Sequence, residues 1–228
     1  MGSLITVKAA DGHELKAYVA RPEGTPVGGL VVVQEIFGIN AHVRSVADGY
    51  AKDGFLVVAP ALFDRYERDL ELGYTGEDKE KAYSIYPSLN FDWALLDVAA
   101  AFGEAKQAGK VGVVGFCWGG VVSWLTSTRG PSLGIEPAAA VVYYGGGIGK
   151  VAAENPTCPV MLHFGANDTH IGSDQIEAVR SAHPEAEIYL YEGAGHAFNR
   201  DVDPESYSPE AAKLARERSL AFFHKYIG

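Results

Sequence analysis

Cysteine is almost absent from this chain of 228 residues: Cys117 and Cys158 are the only two, and neither stands in a CxxC pair or at metal-ligand spacing. That excludes a disulfide framework and leaves reduced thiols as the expectation. Positive charge is also scarce, with 19 Lys and Arg against 29 Asp and Glu and a formal net charge of -10. Without clustered cations a phosphate backbone goes unneutralised, so nucleic acid is not an expected partner, and an anionic membrane surface is disfavoured for the same reason. No apolar run reaches the roughly 18 residues that span a bilayer, and the N-terminus has no basic-then-apolar leader. A cytoplasmic location follows as an expectation. No repeat, linker or low-complexity tract interrupts the chain, and no cofactor or metal is expected.

What is present is the composition of an ordinary globular protein, 47% hydrophobic and 21% charged with 27 glycines. The length suits one α/β domain over residues 1–228. Apolar runs of strand length alternate with stretches of helical periodicity, the pattern of βα units feeding a mostly parallel sheet. Strands are predicted at 4–8, 13–20, 30–33, 55–59, 111–114, 138–144, 160–164 and 187–191. Helices are predicted at 42–52, 77–86, 90–107, 121–128, 173–182 and 209–226. The alternating polar and apolar residues at 13–20 predict an antiparallel edge beside a parallel interior. Within 90–107 the apolar face is assigned to Trp93, Leu96, Ala100 and Ala101. Residues 61–86, irregular and rich in charges and tyrosines, form a long excursion of the kind that carries function.

Gly115, Phe116, Cys117, Trp118, Gly119 and Gly120 follow a valine-rich strand and precede a helix, giving G-x-C-x-G in strand-turn-helix context. A nucleophile elbow needs small residues there because a Cβ two positions from the nucleophile collides with the tight turn. A thiol attacks best as thiolate, which a helix N-terminus favours. Cys117 also admits the plainer reading of an inert buried thiol. Asp168 ends a strand within Gly165, Ala166, Asn167 and Asp168, where open α/β sheets assemble sites, or serves as a turn aspartate. His196 lies on a glycine-flanked loop after the last strand, and nucleophile, acid and histidine then run in the elbow's chain order. Of the other histidines only His170 competes, through its closeness to Asp168, while His13 and His183 read as exposed turns. The second oxyanion donor, beside the Trp118 N-H, is expected from residues 34–38. Glu35 in that loop reads as a solvated strand end, a second acid-base group or the partner of a basic residue.

These four segments, Gln34-Glu35-Ile36-Phe37-Gly38, Gly115 to Gly120, Gly165 to Asp168 and Gly195-His196-Ala197-Phe198, resemble the dienelactone hydrolase (carboxymethylenebutenolidase) family in order and spacing, cysteine included. The resemblance implies an α/β-hydrolase fold: a mostly parallel sheet of about eight strands, helices on both faces and no large cap. It implies opening of the lactone ring of dienelactone to maleylacetate in breakdown of chlorinated aromatics. Cys117, Asp168 and His196 would be the triad, Glu35 would hold the resting thiol until substrate shifts it, and backbone N-H groups of Ile36 and Trp118 would form the oxyanion hole. Two family arginines that bind the substrate carboxylate map onto Arg200 and Lys79, and at the second the sequence departs from the family, since Lys cannot make the planar bidentate pair of Arg. Phe37, Tyr83, Tyr86 and Tyr144 are further candidates to line the pocket, and Lys81 reads as a surface charge paired with Glu77, Glu80 or Asp201. The expected partner is a small anionic lactone or ester, with the protein a monomer or small homo-oligomer. A broader cysteine carboxylesterase or thioesterase is the near alternative, and a non-catalytic ligand-binding protein the distant one.

Overall fold

Eight strands join in one sheet in a computed structural model that describes residues 2–228. The strands are β1 (Ser3–Lys8), β2 (Glu14–Ala20), β3 (Gly28–Val33), β4 (Phe55–Pro60), β5 (Val111–Phe116), β6 (Ala139–Tyr143), β7 (Val160–Gly165) and β8 (Glu187–Tyr191). Their spatial order is β1-β2-β4-β3-β5-β6-β7-β8. β1, β2 and β4 pair antiparallel and every later pairing is parallel, which is the edge and interior that the sequence pattern predicts. The helices are α1 (Ala41–Lys52), α2 (Gly76–Ile85), α3 (Phe91–Ala105), α4 (Trp118–Arg129), α5 (Ser173–Ala182) and α6 (Pro209–Tyr226).

Both faces of the sheet are covered, and two glycines in neighbouring strands make this visible. Gly29 pairs with Val111, so Gly112, one residue on, points to the opposite face. A Cβ on Gly29 would meet the Ala105 carbonyl of α3, whereas one on Gly112 would meet Ile227 and Phe223 at the end of α6. Tyr50 of α1 packs edge-on to Phe223, which puts α1 and α6 together. Trp124 of α4 packs against His183 beyond α5, which joins those helices on the other side. A strand covered twice has no polar face to keep wet, hence the unbroken buried runs in β3, β4, β5, β6 and β7.

Helix ends follow local chemistry. Asn40 caps α1 by accepting from Val43 N-H and Asn90 caps α3 by accepting from Trp93 N-H. The face assigned to α3 from sequence needs correction. Its buried stripe is Ala94, Leu95, Val98, Ala101, Phe102 and Ala105, whereas Trp93 is 45% exposed. Asp97 falls inside that stripe; it is buried because Arg65 holds it through two hydrogen bonds of 2.7 and 2.8 Å. Trp93 lies under the Arg65 guanidinium and beside Tyr66. His183, expected in an exposed turn, is buried with Nε2 at 2.8 Å from the Ala152 carbonyl.

One buried histidine links the core to pH. His163 on β7 is fully buried, with Nδ1 2.8 Å from the Tyr191 hydroxyl and Nε2 3.0 Å from Ser219 Oγ. Burial, with a lesser contribution from the nearby Arg218 cation, pushes its pKa from 6.5 down to about 3. Between those values the unfolded chain binds a proton that the native state refuses, so stability is complete above about 6.5 and declines as the pH falls towards 3. Stability is expected to fall on acidification below 6.5, by up to about 1.4 kcal/mol per pH unit from this group, and the melting temperature with it. A thermal melt series from pH 8 to 4 checks it: His163→Asn should show a shallower acid decline, and an equal decline removes His163 as the cause.

Candidate active site

Cys117 stands between β5 and α4 with φ at 55°, a left-handed conformation that costs a non-glycine residue about 1–3 kcal/mol. The surrounding glycines make that turn feasible. A Cβ on Gly115 would lie 1.9 Å from the Gly119 carbonyl oxygen, and one on Gly119 2.2 Å from that of Gln34. The turn is pinned by the Cys117 N-H donating to the Tyr143 carbonyl at 3.0 Å. Its sulfur is thereby raised at the carboxyl end of the sheet, at the start of α4 and facing the cavity.

Asp168 and His196 arrive from the loops after β7 and β8. The Asp168 side chain is almost completely buried, its Oδ1 accepting from the N-H groups of His170 (2.8 Å) and Ile171 (3.2 Å). Oδ2 is left for His196 Nδ1, at 2.7 Å. Asp168 is therefore both the turn aspartate and the imidazole's partner, and these roles use different oxygens. Burial works against a charged imidazole at His196, yet hydrogen bonds to Asp168 and to Cys117, with the charge of each, outweigh it and raise the pKa from 6.5 to about 10. His170, the competing histidine, offers Asp168 only its backbone; its ring packs edge-on to His196 at 5.0 Å between centroids.

Glu35 is 1% exposed and is paired with Arg200, Oε1 to Nη2 at 2.7 Å and Oε2 to Nε at 3.2 Å. Of the readings open for Glu35, pairing with a basic residue is the arrangement adopted, and the carboxylate is engaged by guanidinium. Arg200 is itself buried, gives Nη1 to Asp203 at 3.0 Å and lies over the rings of Tyr74 and Phe37. Glu35 and its hydrogen bonds hold the guanidinium's pKa even above its usual range despite burial. Removing one member of such a pair strands a buried charge and costs about 3–5 kcal/mol.

A cavity of about 860 Å³ opens over Cys117 and His196. Ile36, Phe37, Trp118, Lys79, Tyr83, Tyr86 and Arg200, all named for the site from sequence, border it. Tyr144 is the exception. It is fully buried behind His196, ring centroids 4.9 Å apart, with its hydroxyl donating to Asn199 Oδ1, so it braces the imidazole and does not line the cavity. Its backbone explains the turn inward: φ is 36° and the N-H donates to the His163 carbonyl directly after β6. Lys81 is paired with Glu67 at 2.6 Å rather than with the expected Glu77, Glu80 or Asp201. Sequence reasoning missed Asp203, Tyr74 and Asn199. Asp203 was signalled only by its i,i+3 spacing from Arg200, and Tyr74 comes from a segment with no periodicity. Among the described residues no group of three or more His, Cys, Asp or Glu is placed to hold a metal ion.

Known proteins resemble this chain over nearly its whole length. The profile of the dienelactone hydrolase family matches residues 15–227. Carboxymethylenebutenolidase of Pseudomonas putida is 32% identical over 228 residues, covering 96% of this chain and 94% of its own. A crystal structure from Klebsiella pneumoniae assigned to the dienelactone hydrolases is 30% identical and superposes with a TM-score of 0.81 over 98% of this chain and 100% of that one. A dienelactone hydrolase-like promiscuous phosphotriesterase from metagenomic libraries, 19% identical, has a TM-score of 0.80 over 100% of this chain and 99% of its own, a likeness of fold.

Proposed function

The chain belongs to the dienelactone hydrolase family and is a hydrolase of ester or lactone bonds, and from that premise we propose that Cys117 is its nucleophile, His196 its proton carrier and Asp168 the carboxylate that orients the imidazole. The observation that carries the proposal is the 2.7 Å contact between His196 Nδ1 and Asp168, which leaves Nε2 for the sulfur raised on the strained turn. Cys117 sulfur attacks the carbonyl carbon, and the resulting oxyanion is held by the N-H groups of Ile36 and Trp118. Collapse breaks the carbon-oxygen bond, and the alkoxide takes its proton from His196. Water, losing a proton to the same imidazole, cleaves the thioester and returns Cys117.

The substrate is a small lactone or ester bearing a carboxylate, of the dienelactone type, met by Arg200 and Lys79. Arg200 supplies only part of its charge, since Glu35 and Asp203 already engage it. Lys79 is exposed at the rim and stands where the family has arginine. The protein acts in the cytoplasm as one domain, without a cofactor, as a monomer or small homo-oligomer, a reading that the single continuous core and the two unpaired cysteines support.

Steady-state kinetics on cis- and trans-dienelactone, p-nitrophenyl acetate and a thioester test this reading. Turnover of lactone with kcat/KM well above that of the neutral ester is expected; tight binding with no turnover overturns it. Lys79→Arg is expected to raise kcat/KM for the carboxylate-bearing lactone about tenfold, the worth of one good charge-assisted hydrogen bond, with little change for p-nitrophenyl acetate.

A further inference from the structure

The cavity is larger than a compact lactone acid requires. Such a molecule has about ten non-hydrogen atoms, and even at the roughly 30 Å³ that each water takes in the liquid it fills about 300 Å³, against about 860 Å³ available. The lining falls on both sides of the sulfur. The order β4-β3-β5-β6-β7 puts Cys117, at the end of β5, between two sets of loops. On the β3 and β4 side Phe37 packs on Tyr74, ring centroids 4.7 Å apart, and Tyr74 carries the Arg200 guanidinium, 4.1 Å away, which is paired in turn with Glu35. On the β6 and β7 side Gly147 N-H donates to Gln175 Oε1 at 2.9 Å, tying the loop after β6 to α5, and His170 packs against His196. The two halves share the sulfur and are each braced internally.

Resting on the proposed triad, we infer that the half walled by His170, Gln175 and Ala178 receives the departing alcohol of an open-chain ester, with the acyl portion held on the Arg200 side. The proton path sets this orientation. His196 Nδ1 is occupied by Asp168, so Nε2 is the nitrogen that protonates the leaving oxygen, and the leaving group must lie beside it. His170 marks the half that adjoins that ring. Glycines keep it open: a Cβ on Gly146 would approach nothing nearer than Ile171 at 4.0 Å, and one on Gly147 nothing within that distance. The wall is apolar at half-buried Ala178 and turns polar at the mouth, where Lys150 and Asp174 are exposed. An aryl-alkyl alcohol with its ring inside fits this chemistry. In a lactone the leaving oxygen stays tethered to the acyl group, so this half goes unfilled. Ester and thiol give thioester and free alcohol, and water then gives the acid and the regenerated thiol, with no further reactant.

The test compares the monomethyl and mono-2-phenylethyl esters of fumaric acid, which share one acyl group and have leaving alcohols of similar acidity. The phenylethyl ester is expected to show at least about tenfold higher kcat/KM, as apolar pocket contacts of this size discriminate. Ala178→Phe should bring the ratio of the two close to one, and Ala178→Leu should give an intermediate ratio. A wild-type ratio near one, or a raised ratio that Ala178→Phe leaves intact, overturns the inference while Cys117-dependent turnover of the methyl ester still upholds the triad. Failure to hydrolyse either ester overturns the inference together with its premise.

Discussion

Replacing Cys117 with alanine is expected to lower ester and lactone hydrolysis by about four to six orders of magnitude, to the level left by the oxyanion donors and binding alone. The size of the effect follows from what the side chain does. In the proposed mechanism no thioester then forms, and His196 and Asp168 have no nucleophile to activate. The substitution should leave the fold intact, because alanine keeps a Cβ at the strained φ of 55° and the pin from its N-H to the Tyr143 carbonyl remains. Comparing kcat/KM with the melting temperature separates the two effects: activity should collapse with the melt within a few degrees of wild type. Full activity in the variant removes the mechanism.

Asp168→Asn is expected to reduce kcat by about 10⁴, the scale seen when a triad carboxylate is made neutral and the imidazole loses its orientation. Here the substitution also has a pH signature. His196 is held protonated up to about 10 against its burial, by Asp168 and Cys117 together. In the proposed mechanism the imidazolium protonates the leaving oxygen, so kcat/KM should fall on the alkaline side near pH 10 as that proton is lost. Removing the Asp168 charge withdraws one of its two supports, and the alkaline limb should move towards neutral pH. The amide side chain introduced by the substitution still offers an oxygen to the N-H groups of His170 and Ile171, which keeps the turn. A profile whose alkaline limb does not move in the variant assigns that ionisation to another group.

The parts of the fold readable in advance were those set by local pattern. The valine runs at β3, β4 and β5 exist because both faces of the sheet are covered, and the glycines around Cys117 exist because the turn admits no Cβ at 115 or 119. The misreadings arose where a distant partner changed what a side chain could tolerate. The helix face drawn through Trp93 missed the buried stripe because that stripe includes Asp97, which Arg65, 32 residues earlier in the chain, holds inside. Tyr144 looked like pocket lining, but its left-handed backbone turns the ring beneath His196. Glu35 was recognisable as unusual from its place at the end of an apolar strand. That its partner is Arg200, 165 residues away and shared with Asp203, depended on two loops meeting over β3, which no spacing encodes.

Intact mass and peptide mapping of enzyme quenched during turnover of a slow ester tests the central chemistry most directly. An adduct of the acyl mass on the peptide containing Cys117, labile to hydroxylamine and absent after prior alkylation with iodoacetamide, is the predicted result. Steady hydrolysis by protein whose Cys117 is fully alkylated, or an acyl adduct on a different residue, would contradict it.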